Sequence, residues 1–176
     1  MILIGLGSNL TTDEYVTSRL ILEAAIVQLN ENNISVSNRS SFYETEPVPK
    51  SDQPWFVNAV VQVDTALNAT DLLKCLHDIE HSLGRVRRER WEARIIDLDL
   101  LCYNDDIYPS KDQWKNVSKD IDPNCVVIPH GRLHERDFVL IPMKDVAPNW
   151  IHPIFGKTTK NMLEQLVSVG IVQKML

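Results

Sequence analysis

Two aspartates separated by a single residue are the feature of this sequence best suited to chemistry. Asp97 and Asp99 lie in the run Arg94-Ile95-Ile96-Asp97-Leu98-Asp99-Leu100-Leu101, whose apolar residues predict a β-strand. Because side chains alternate across a strand, both carboxylates are expected on one face, roughly 6.5 Å apart along the chain. Acids on so apolar a strand repel each other and lose hydration unless a cation neutralises them. Mg²⁺ fits this need, since it commonly binds one or two carboxylates together with substrate phosphates. The alternative is a pair of acids that simply face water.

The stretch directly before this strand is rich in arginine. Residues 84 to 94 contain five arginines and only two glutamates. Guanidinium groups make bidentate contacts with phosphate, although a charged run taken alone is equally consistent with a solvated surface. Cations and metal around a polyphosphate are the recurring parts of phosphoryl transfer. The position of these arginines beside Asp97 and Asp99 therefore favours a polyphosphate site.

Two further patterns are weaker. The segment 5–9 begins like a dinucleotide-binding loop but lacks the third glycine, which favours a tight turn after a strand. A second basic cluster follows Pro129, and a phosphate-facing role is one interpretation of it. The members of this cluster are His130, Arg132, His134 and Arg136.

Bulk properties limit the possible classes of protein. The 176 residues are 44% hydrophobic and 24% charged, with a net charge of −6, which predicts one domain over 1–176 and excludes collagen-like, coiled-coil and disordered chains. The acidic balance argues against nucleic-acid binding. No apolar run reaches the ~20 residues of a membrane span, and the N-terminus lacks the basic region of a signal peptide. Three widely spaced cysteines indicate neither disulfides nor a zinc site, so we expect a cytoplasmic protein.

The elements that must position these residues follow from periodicity. A strand over Ile2–Leu6 precedes a helix that a Thr11–Glu14 capping box would begin. The predicted apolar stripe of this helix is Val16, Leu20, Ala24 and Val27, widened by Leu22, Ile26 and Leu29. Residues 34–43 are predicted to be extended, 44–54 to form a proline-rich loop, and 56–67 to form an alternating strand. A second helix follows, capped by Asn68 or Thr70, and Gly84 ends it before the strand 95–103. Its predicted buried residues are Leu72, Leu76, Ile79 and Leu83.

The order strand, helix, strand, strand, helix, strand is typical of an α+β, ferredoxin-like sandwich. In that fold an antiparallel sheet carries both helices on one face. C-terminal additions follow here: a long polar loop near 104–123, an apolar run at 126–128, and helices near 137–146 and 158–168. One domain therefore accounts for the whole pattern.

The chain resembles the 6-hydroxymethyl-7,8-dihydropterin pyrophosphokinase family over nearly its whole length. This family transfers a pyrophosphoryl group from ATP to a pterin alcohol in folate biosynthesis and releases AMP. Its fold is the ferredoxin-like sandwich, and the arginine-to-aspartate segment is its signature. The resemblance lies in Leu6-Gly7-Ser8-Asn9, Ser40-Ser41-Phe42-Tyr43-Glu44-Thr45, Phe56-Val57-Asn58-Ala59, Gly84-Arg85-Val86-Arg87, Arg94-Ile95-Ile96-Asp97-Leu98-Asp99 and Ile128-Pro129-His130.

The resemblance implies an ATP- and Mg²⁺-dependent diphosphotransferase, with ATP as co-substrate. Asp97 and Asp99 correspond to the ligands of two Mg²⁺ ions and form the catalytic set with Arg85 and Arg94. Trp91 would lie in a loop that closes over both substrates and excludes water. The implied ATP-binding residues are Glu80, Arg85, Trp91, Arg94, Leu100, His130 and Arg136.

A pterin site is also expected. Phe56 and Asn58 share a strand face, so a flat ring can stack on the phenyl ring while its polar edge pairs with the amide. Taken alone, such aromatics are more often ordinary core residues. The resemblance adds Thr45 and Val48 from the proline-rich loop, Phe138 as a second stacking wall, and Trp91.

The chain departs from the family pattern at several positions, which are Glu92, Cys125, Gly131 and His134. Residues 104–123 are also roughly a dozen longer than usual, a length typical of functional or mobile loops. These departures leave a diverged, non-catalytic pterin- or nucleotide-binding paralogue as the alternative. An RNA-binding ferredoxin-like domain is less favoured, since its sheet would expose aromatics in a basic surround. The predicted partners are two small molecules, ATP and the hydroxymethyl dihydropterin, with no nucleic acid or membrane, and we expect a monomer.

Overall fold

The computed structural model describes residues 1–85, 94–118, 125–167 and 170–176. The predictions for Trp91 and Glu92 therefore lie outside the described residues. The described chain is an α+β fold built on an antiparallel sheet. Its strands are β1 (Ile2–Ser8), β2 (Ser35–Arg39), β3 (Tyr43–Thr45), β4 (Phe56–Asp64), β5 (Asp97–Tyr103) and β6 (Val172–Lys174). Its helices are α1 (Ser18–Glu31), α2 (Ala69–Ser82), α3 (Lys111–Val117), α4 (Asp137–Val146) and α5 (Thr159–Glu164), with a 3₁₀ turn at Leu133–Glu135.

The register of the sheet places the candidate site at the end of β1. The strands lie in the order β5-β1-β4-β3-β6, and β2 also pairs with β4. Gly7 of β1 lies opposite Asn58 of β4 on one side and Asp97 of β5 on the other. Gly5 lies opposite Asp99. Because Gly5 and Gly7 have no side chains, only the backbone of β1 lies between the predicted acids of β5 and Asn58 of β4.

One hydrophobic cluster joins α1 and α2 to alternate residues of the sheet. In β4 these are Val57, Ala59, Val61 and Val63, as the alternation predicted. The second helix is also confirmed: the Asn68 side chain caps it by accepting from the Asp71 N–H, and its predicted apolar residues are buried. Gly84 follows at φ +92°, a left-handed conformation that favours glycine after a helix.

The first helix differs from the prediction. It begins at Ser18, where the Thr17 side chain accepts from the Leu20 N–H, so Thr11 and Glu14 do not cap it. Val16, Leu20 and Val27, assigned to the buried stripe, are exposed. Leu22 and Leu29 are buried as predicted, together with Ile21 and Ala25. Apolar residues surround this helix on several sides, so spacing alone fits more than one face.

A second hydrophobic cluster lies between the sheet and the C-terminal helices. It joins Leu3, Val60 and Leu101 of the sheet to Leu140 and Met143 of α4. The helix predicted at 137–146 is therefore confirmed, whereas α5 is shorter than the predicted 158–168. None of the described helices is long and apolar enough to cross a membrane.

The segment predicted as a long polar loop near 104–123 contains the short helix α3. Its Trp114 is buried, with only 2% of its surface exposed. The indole contacts the rings of His134, His152 and Phe155. This aromatic cluster attaches the segment to the C-terminal part of the fold.

His152 in this cluster is fully buried. Its Nδ1 accepts from the Ile154 N–H at 3.2 Å. Burial, assisted by the neighbouring His134, lowers the pKa of His152 from 6.5 to about 4. The imidazole is therefore neutral in the folded protein at neutral pH.

We predict that His152 makes the protein acid-labile. Between pH 6.5 and 4 the unfolded chain binds a proton at His152 that the folded chain does not, so stability is complete above 6.5 and falls on acidification. The loss reaches at most about 3 kcal/mol. His152→Asn, which keeps an acceptor for Ile154, should flatten this dependence in urea unfolding between pH 7.5 and 4.5. The exposed His81→Asn is the control, and equal pH profiles for wild type and His152→Asn would contradict the prediction.

Candidate active site

A cavity of about 280 Å³ opens where β1, β4 and β5 end side by side. Its walls bring together the backbone of Gly5 and Gly7, acids from β5, basic residues, and aromatic residues. The predicted site residues that line it are Thr45, Val48, Phe56, Asn58, Arg94, Asp97, Asp99, Arg136 and Phe138. Positions far apart in the chain, predicted for two different substrates, therefore face one cavity.

The acid pair lies on one strand face, as predicted, and the arginines surround it. The Arg85 Nη1 donates to Asp97 Oδ1 at 2.6 Å, while the Arg94 Nη1 donates to Oδ2 of the same carboxylate. Asp99 faces the same cavity, and its charge acts on His130 and Arg136. The arginine-rich stretch is thus tied to the acids at both of its described ends, Arg85 and Arg94.

Charge balance determines the ionisation of this cluster. Burial by itself raises the pKa of Asp97, but the Arg94 and Arg85 guanidinium groups outweigh it and lower that pKa below its ordinary value. Burial correspondingly lowers the pKa of Arg85, and the charges of Asp97 and Glu80 reverse this and raise it. Both groups are charged at neutral pH.

Glu80 is a buried partner of the Arg85 and Asp97 pair. Its side chain is 2% exposed, accepts from Arg85, and accepts from the Leu98 backbone N–H at 2.7 Å. It thereby links the end of α2 to β5 and holds Arg85 beside Asp97. Glu80, one of the predicted ATP-binding residues, is not among the residues that line the cavity.

The two acids fit a magnesium site. Both carboxylates face one cavity and offer the oxygen ligands that a hard cation prefers. Across the ranges that the structure describes, no group of three or more histidines, cysteines, aspartates or glutamates could hold a metal. A Mg²⁺ ion held by these two carboxylates would take its remaining ligands from phosphate oxygens and water, which is how Mg²⁺ is usually bound beside nucleotides.

The other end of the cavity suits a flat polar ring. Asn58 is 6% exposed, and its Nδ2 donates to Thr45 Oγ1 at 2.8 Å, which orients the amide. A Cβ on Gly7 would lie 3.1 Å from Asn58 Oδ1, so glycine at this position leaves room for the amide. The amide is therefore held in one orientation at the cavity wall.

Aromatic walls complete this end of the cavity. Phe56 and Phe138 are both half-buried, and Val48 lies at the rim with 60% exposure. The Arg136 guanidinium lies over the Phe138 ring, 5.5 Å from its centroid. This contact joins an arginine predicted for phosphate to an aromatic predicted for pterin, so the two halves of the site meet at α4.

Asn9 is a structural residue of the site to which the sequence assigned no role. It is 2% exposed, and its Nδ2 donates to Pro54 O at 3.1 Å and to Gln53 Oε1 at 3.3 Å. Its Oδ1 accepts from the Arg94 N–H at 2.7 Å. Asn9 therefore connects the proline-rich loop to the arginine beside Asp97. The only signal was its place at the end of the segment Leu6-Gly7-Ser8-Asn9.

Three other predicted ATP residues that the structure describes lie outside the cavity lining: Arg85, Leu100 and His130. Leu100 belongs to the hydrophobic cluster under α1 and α2, and Leu101 lines the cavity in its place. The His130 N–H donates to Leu101 O at 2.8 Å, which attaches that loop to β5. Burial lowers the pKa of His130 against the opposing effect of Asp99, so its imidazole is neutral at neutral pH.

Paired acids, arginines and a slot for a planar ring in one cavity define an enzyme that moves a phosphate-containing group between small molecules. The chain belongs to the family described as 7,8-dihydro-6-hydroxymethylpterin-pyrophosphokinase (HPPK), whose family model matches residues 3–148. It is accordingly a diphosphotransferase of folate biosynthesis that transfers pyrophosphate from ATP to the hydroxymethyl group of 6-hydroxymethyl-7,8-dihydropterin. The function predicted from the sequence is thus confirmed.

Curated relatives agree with this family. A 2-amino-4-hydroxy-6-hydroxymethyldihydropteridine pyrophosphokinase of Methylorubrum extorquens is 36% identical over 96% of this chain and 94% of its own length. The Haemophilus influenzae protein of the same name is 37% identical over 85% of this chain and 83% of its own length. The Bacillus subtilis protein is 35% identical, over 82% and 76%.

Solved structures show the same fold. The wild-type Plasmodium falciparum HPPK-DHPS matches with a TM-score of 0.64 at 18% identity, over 93% of this chain. A triple mutant of that protein with SDX-DHP matches with a TM-score of 0.66 at 20% identity. The present chain spans 44% of those longer chains, so the likeness covers only part of them.

We predict that Asn9→Ala disturbs both halves of the site at once. Without the side chain, Arg94 and the proline-rich loop lose their shared partner, and a displacement of about 1 Å can cost about 100-fold in rate. We expect kcat/KM to fall by about that factor, with a raised KM for the pterin. Steady-state kinetics beside Asn38→Ala, an exposed asparagine on β2, would check this, and equal effects of both variants would refute the linking role.

Proposed function

We propose that ATP and the hydroxymethyl dihydropterin bind together in this cavity, with the triphosphate beside Asp97 and the pterin ring beside Asn58. The pterin hydroxymethyl oxygen then attacks the β-phosphorus, the bond from that phosphorus to the α-phosphate oxygen breaks, and AMP leaves. The observation that carries this assignment is that acids, arginines and ring-binding residues all line a single cavity. Bringing the two reactants together supplies much of the rate enhancement.

Asp97 and Asp99 are the residues that would hold Mg²⁺, and we propose two ions. When bound, magnesium would supply positive charge that stabilises the attacking hydroxymethyl oxygen and the leaving phosphate oxygen. The chain contributes by keeping Asp97 ionised: the Arg94 and Arg85 guanidinium groups outweigh burial and hold the pKa of Asp97 below its ordinary value, so its carboxylate is charged at neutral pH.

In this proposal the guanidinium groups of three arginines donate hydrogen bonds to the phosphates. These are Arg85, Arg94 and Arg136. Arg94 and Arg136 line the cavity, and Arg85 reaches it through Asp97. Their guanidinium groups stay charged throughout and require no proton transfer to neutralise the polyphosphate. His130, neutral and attached to β5, would contact the nucleotide. Glu80, Leu100 and Trp91 remain predicted ATP contacts.

The pterin is held by stacking and by amide pairing. Phe56 and Phe138 offer the two ring faces between which a flat heterocycle stacks. Thr45 Oγ1 accepts a hydrogen bond from the Asn58 Nδ2–H, which leaves Asn58 Oδ1 to accept from an N–H on the pterin edge. Val48 and Trp91 complete the predicted contacts.

We assign the fold to the ferredoxin-like sandwich, with α1 and α2 on one face of the sheet. The support is the central strand order β5-β1-β4-β3 and the cluster that both helices share. We further propose that residues 1–176 form one domain with a long segment near 104–123, and that it acts as a cytoplasmic monomer on small-molecule substrates. The wide spacing of the three cysteines in the sequence, which fits no disulfide framework, supports the cytoplasmic placement, and the net charge of −6 supports small-molecule substrates over nucleic acid.

The product distinguishes this reaction from ordinary phosphate transfer. With ATP, Mg²⁺ and 6-hydroxymethyl-7,8-dihydropterin, we expect AMP and pterin pyrophosphate to form in equal amounts. Chromatography of the nucleotides provides the measurement, and reactions without pterin control for ATP hydrolysis. ADP as the product would contradict the mechanism, and pterin binding without any nucleotide product would favour the non-catalytic paralogue.

We predict that Asp97→Asn and Asp99→Asn each lower kcat by about 1000-fold, because each loses a charge needed at the polyphosphate. Asp97→Asn should also lower the free energy of unfolding, since Arg85 and Arg94 lose their shared partner. Turnover and urea unfolding are measured in parallel with the exposed Asp106→Asn as control. Turnover within tenfold of wild type in either variant would show that the metal assignment is wrong.

A further inference from the structure

We propose that residues 108–118, which we call the insert arm, position the loop 128–131 for nucleotide binding, with Trp114 as the positioning residue. We call 128–131 the histidine loop, since it carries His130. This inference rests on the proposed function, in which His130 contacts the nucleotide. The insert arm lies within the segment that is longer than the family pattern. The inference therefore gives a role to a segment that the reaction itself does not explain.

The insert arm follows the histidine loop along its length. At the first residue, Tyr108 and Ile128 exchange two backbone hydrogen bonds, of 2.9 and 3.1 Å. At the second residue of the histidine loop, Pro129, the carbonyl oxygen accepts from the Trp114 Nε1–H at 2.7 Å in a buried contact. Consecutive residues of the loop are therefore bonded to the arm directly before His130.

The third contact follows His130 and depends on a glycine. A Cβ placed on Gly131 would lie 2.5 Å from Ser118 O and 2.6 Å from Ser118 Cα, which no side chain tolerates. Gly131 thus permits the backbone of the arm to lie directly against the loop. This close approach gives a physical reason for the departure at Gly131 noted in the sequence.

The aromatic cluster holds Trp114 in the orientation that this bond requires. The indole ring centroid lies 5.7 Å from that of His152 and 5.8 Å from that of Phe155, both nearly edge-on. With 2% exposure the indole has little room to rotate. Its N–H is consequently held toward Pro129 rather than shared with solvent.

A shift of the histidine loop would change the surroundings of Asp99. The His130 N–H is bonded to Leu101 O, two residues beyond Asp99, and the charges of Asp99 and Arg136 act on the His130 imidazole. Loss of the Trp114 bond would leave a buried Pro129 carbonyl without its donor, and the loop must shift to regain one. The expected consequence is weaker nucleotide binding with little effect at the pterin end.

The test compares Trp114→Phe with Trp150→Phe. Both substitutions remove a buried indole N–H, but within the described residues the Trp150 Nε1 bonds nothing. Trp114→Phe should raise the KM for ATP about tenfold and leave the KM for pterin within twofold. Trp150→Phe should leave both within twofold, even if both variants lower Tm.

The proposal is overturned if Trp114→Phe leaves the KM for ATP within twofold of wild type, or if it raises both KM values equally. Gly131→Ala provides a second route, because it pushes the arm away from the loop without touching the tryptophan. It should also raise the KM for ATP selectively, and an unchanged value would contradict the proposal. A wild-type protein that produces no AMP would instead refute the proposed function and is recognised before any variant is compared.

Discussion

The site depends on a carboxylate that is partly buried and yet ionised. Burial by itself raises the pKa of Asp97, but the guanidinium groups of Arg94 and Arg85, one on each carboxylate oxygen, outweigh it and hold that pKa below its ordinary value. Arg85 is in turn held by Glu80, which also fixes β5 through Leu98. Because removal of any member would leave an unpaired charge, the arginines, the acid and the strand keep one arrangement. The cavity is thus charged and ordered before any substrate arrives.

The sheet places the charged Asp97 next to the part of the cavity that suits a flat ring. β1 lies between β4 and β5, and Gly7 of β1 pairs with Asn58 on one side and Asp97 on the other. No side chain of β1 therefore stands between these two residues. A larger side chain at Gly7 would crowd the Asn58 amide. The reaction joins two substrates of opposite character, one highly charged and one flat and aromatic. In the proposed site, adjacent strand ends place a binding surface for each substrate within one cavity.

Local pattern predicted the elements that have one clear apolar face. The alternation in β4 and β5 correctly separated Asn58 from Val57 and Asp97 from Leu98, because a strand period of two leaves no second choice. The second helix was equally clear. The first helix was wrong in its start and in much of its buried face, since apolar residues such as Val27 also lie on its solvent side. Leu100, a predicted ATP contact, lies on the strand face that is turned toward the helices.

The sequence by itself determined the chemistry: which residue types are present, their alternation along each strand, and hence the acids, arginines and ring-binding residues. Only the tertiary structure decided how distant segments meet. Asn9 reaches both Pro54 and Arg94, and Trp114 reaches Pro129, through contacts set by strand register and by the route of the chain over the sheet. Periodicity describes a residue's neighbours within a few positions. Contacts across 45 or 85 residues depend on how whole elements pack, which no local pattern encodes.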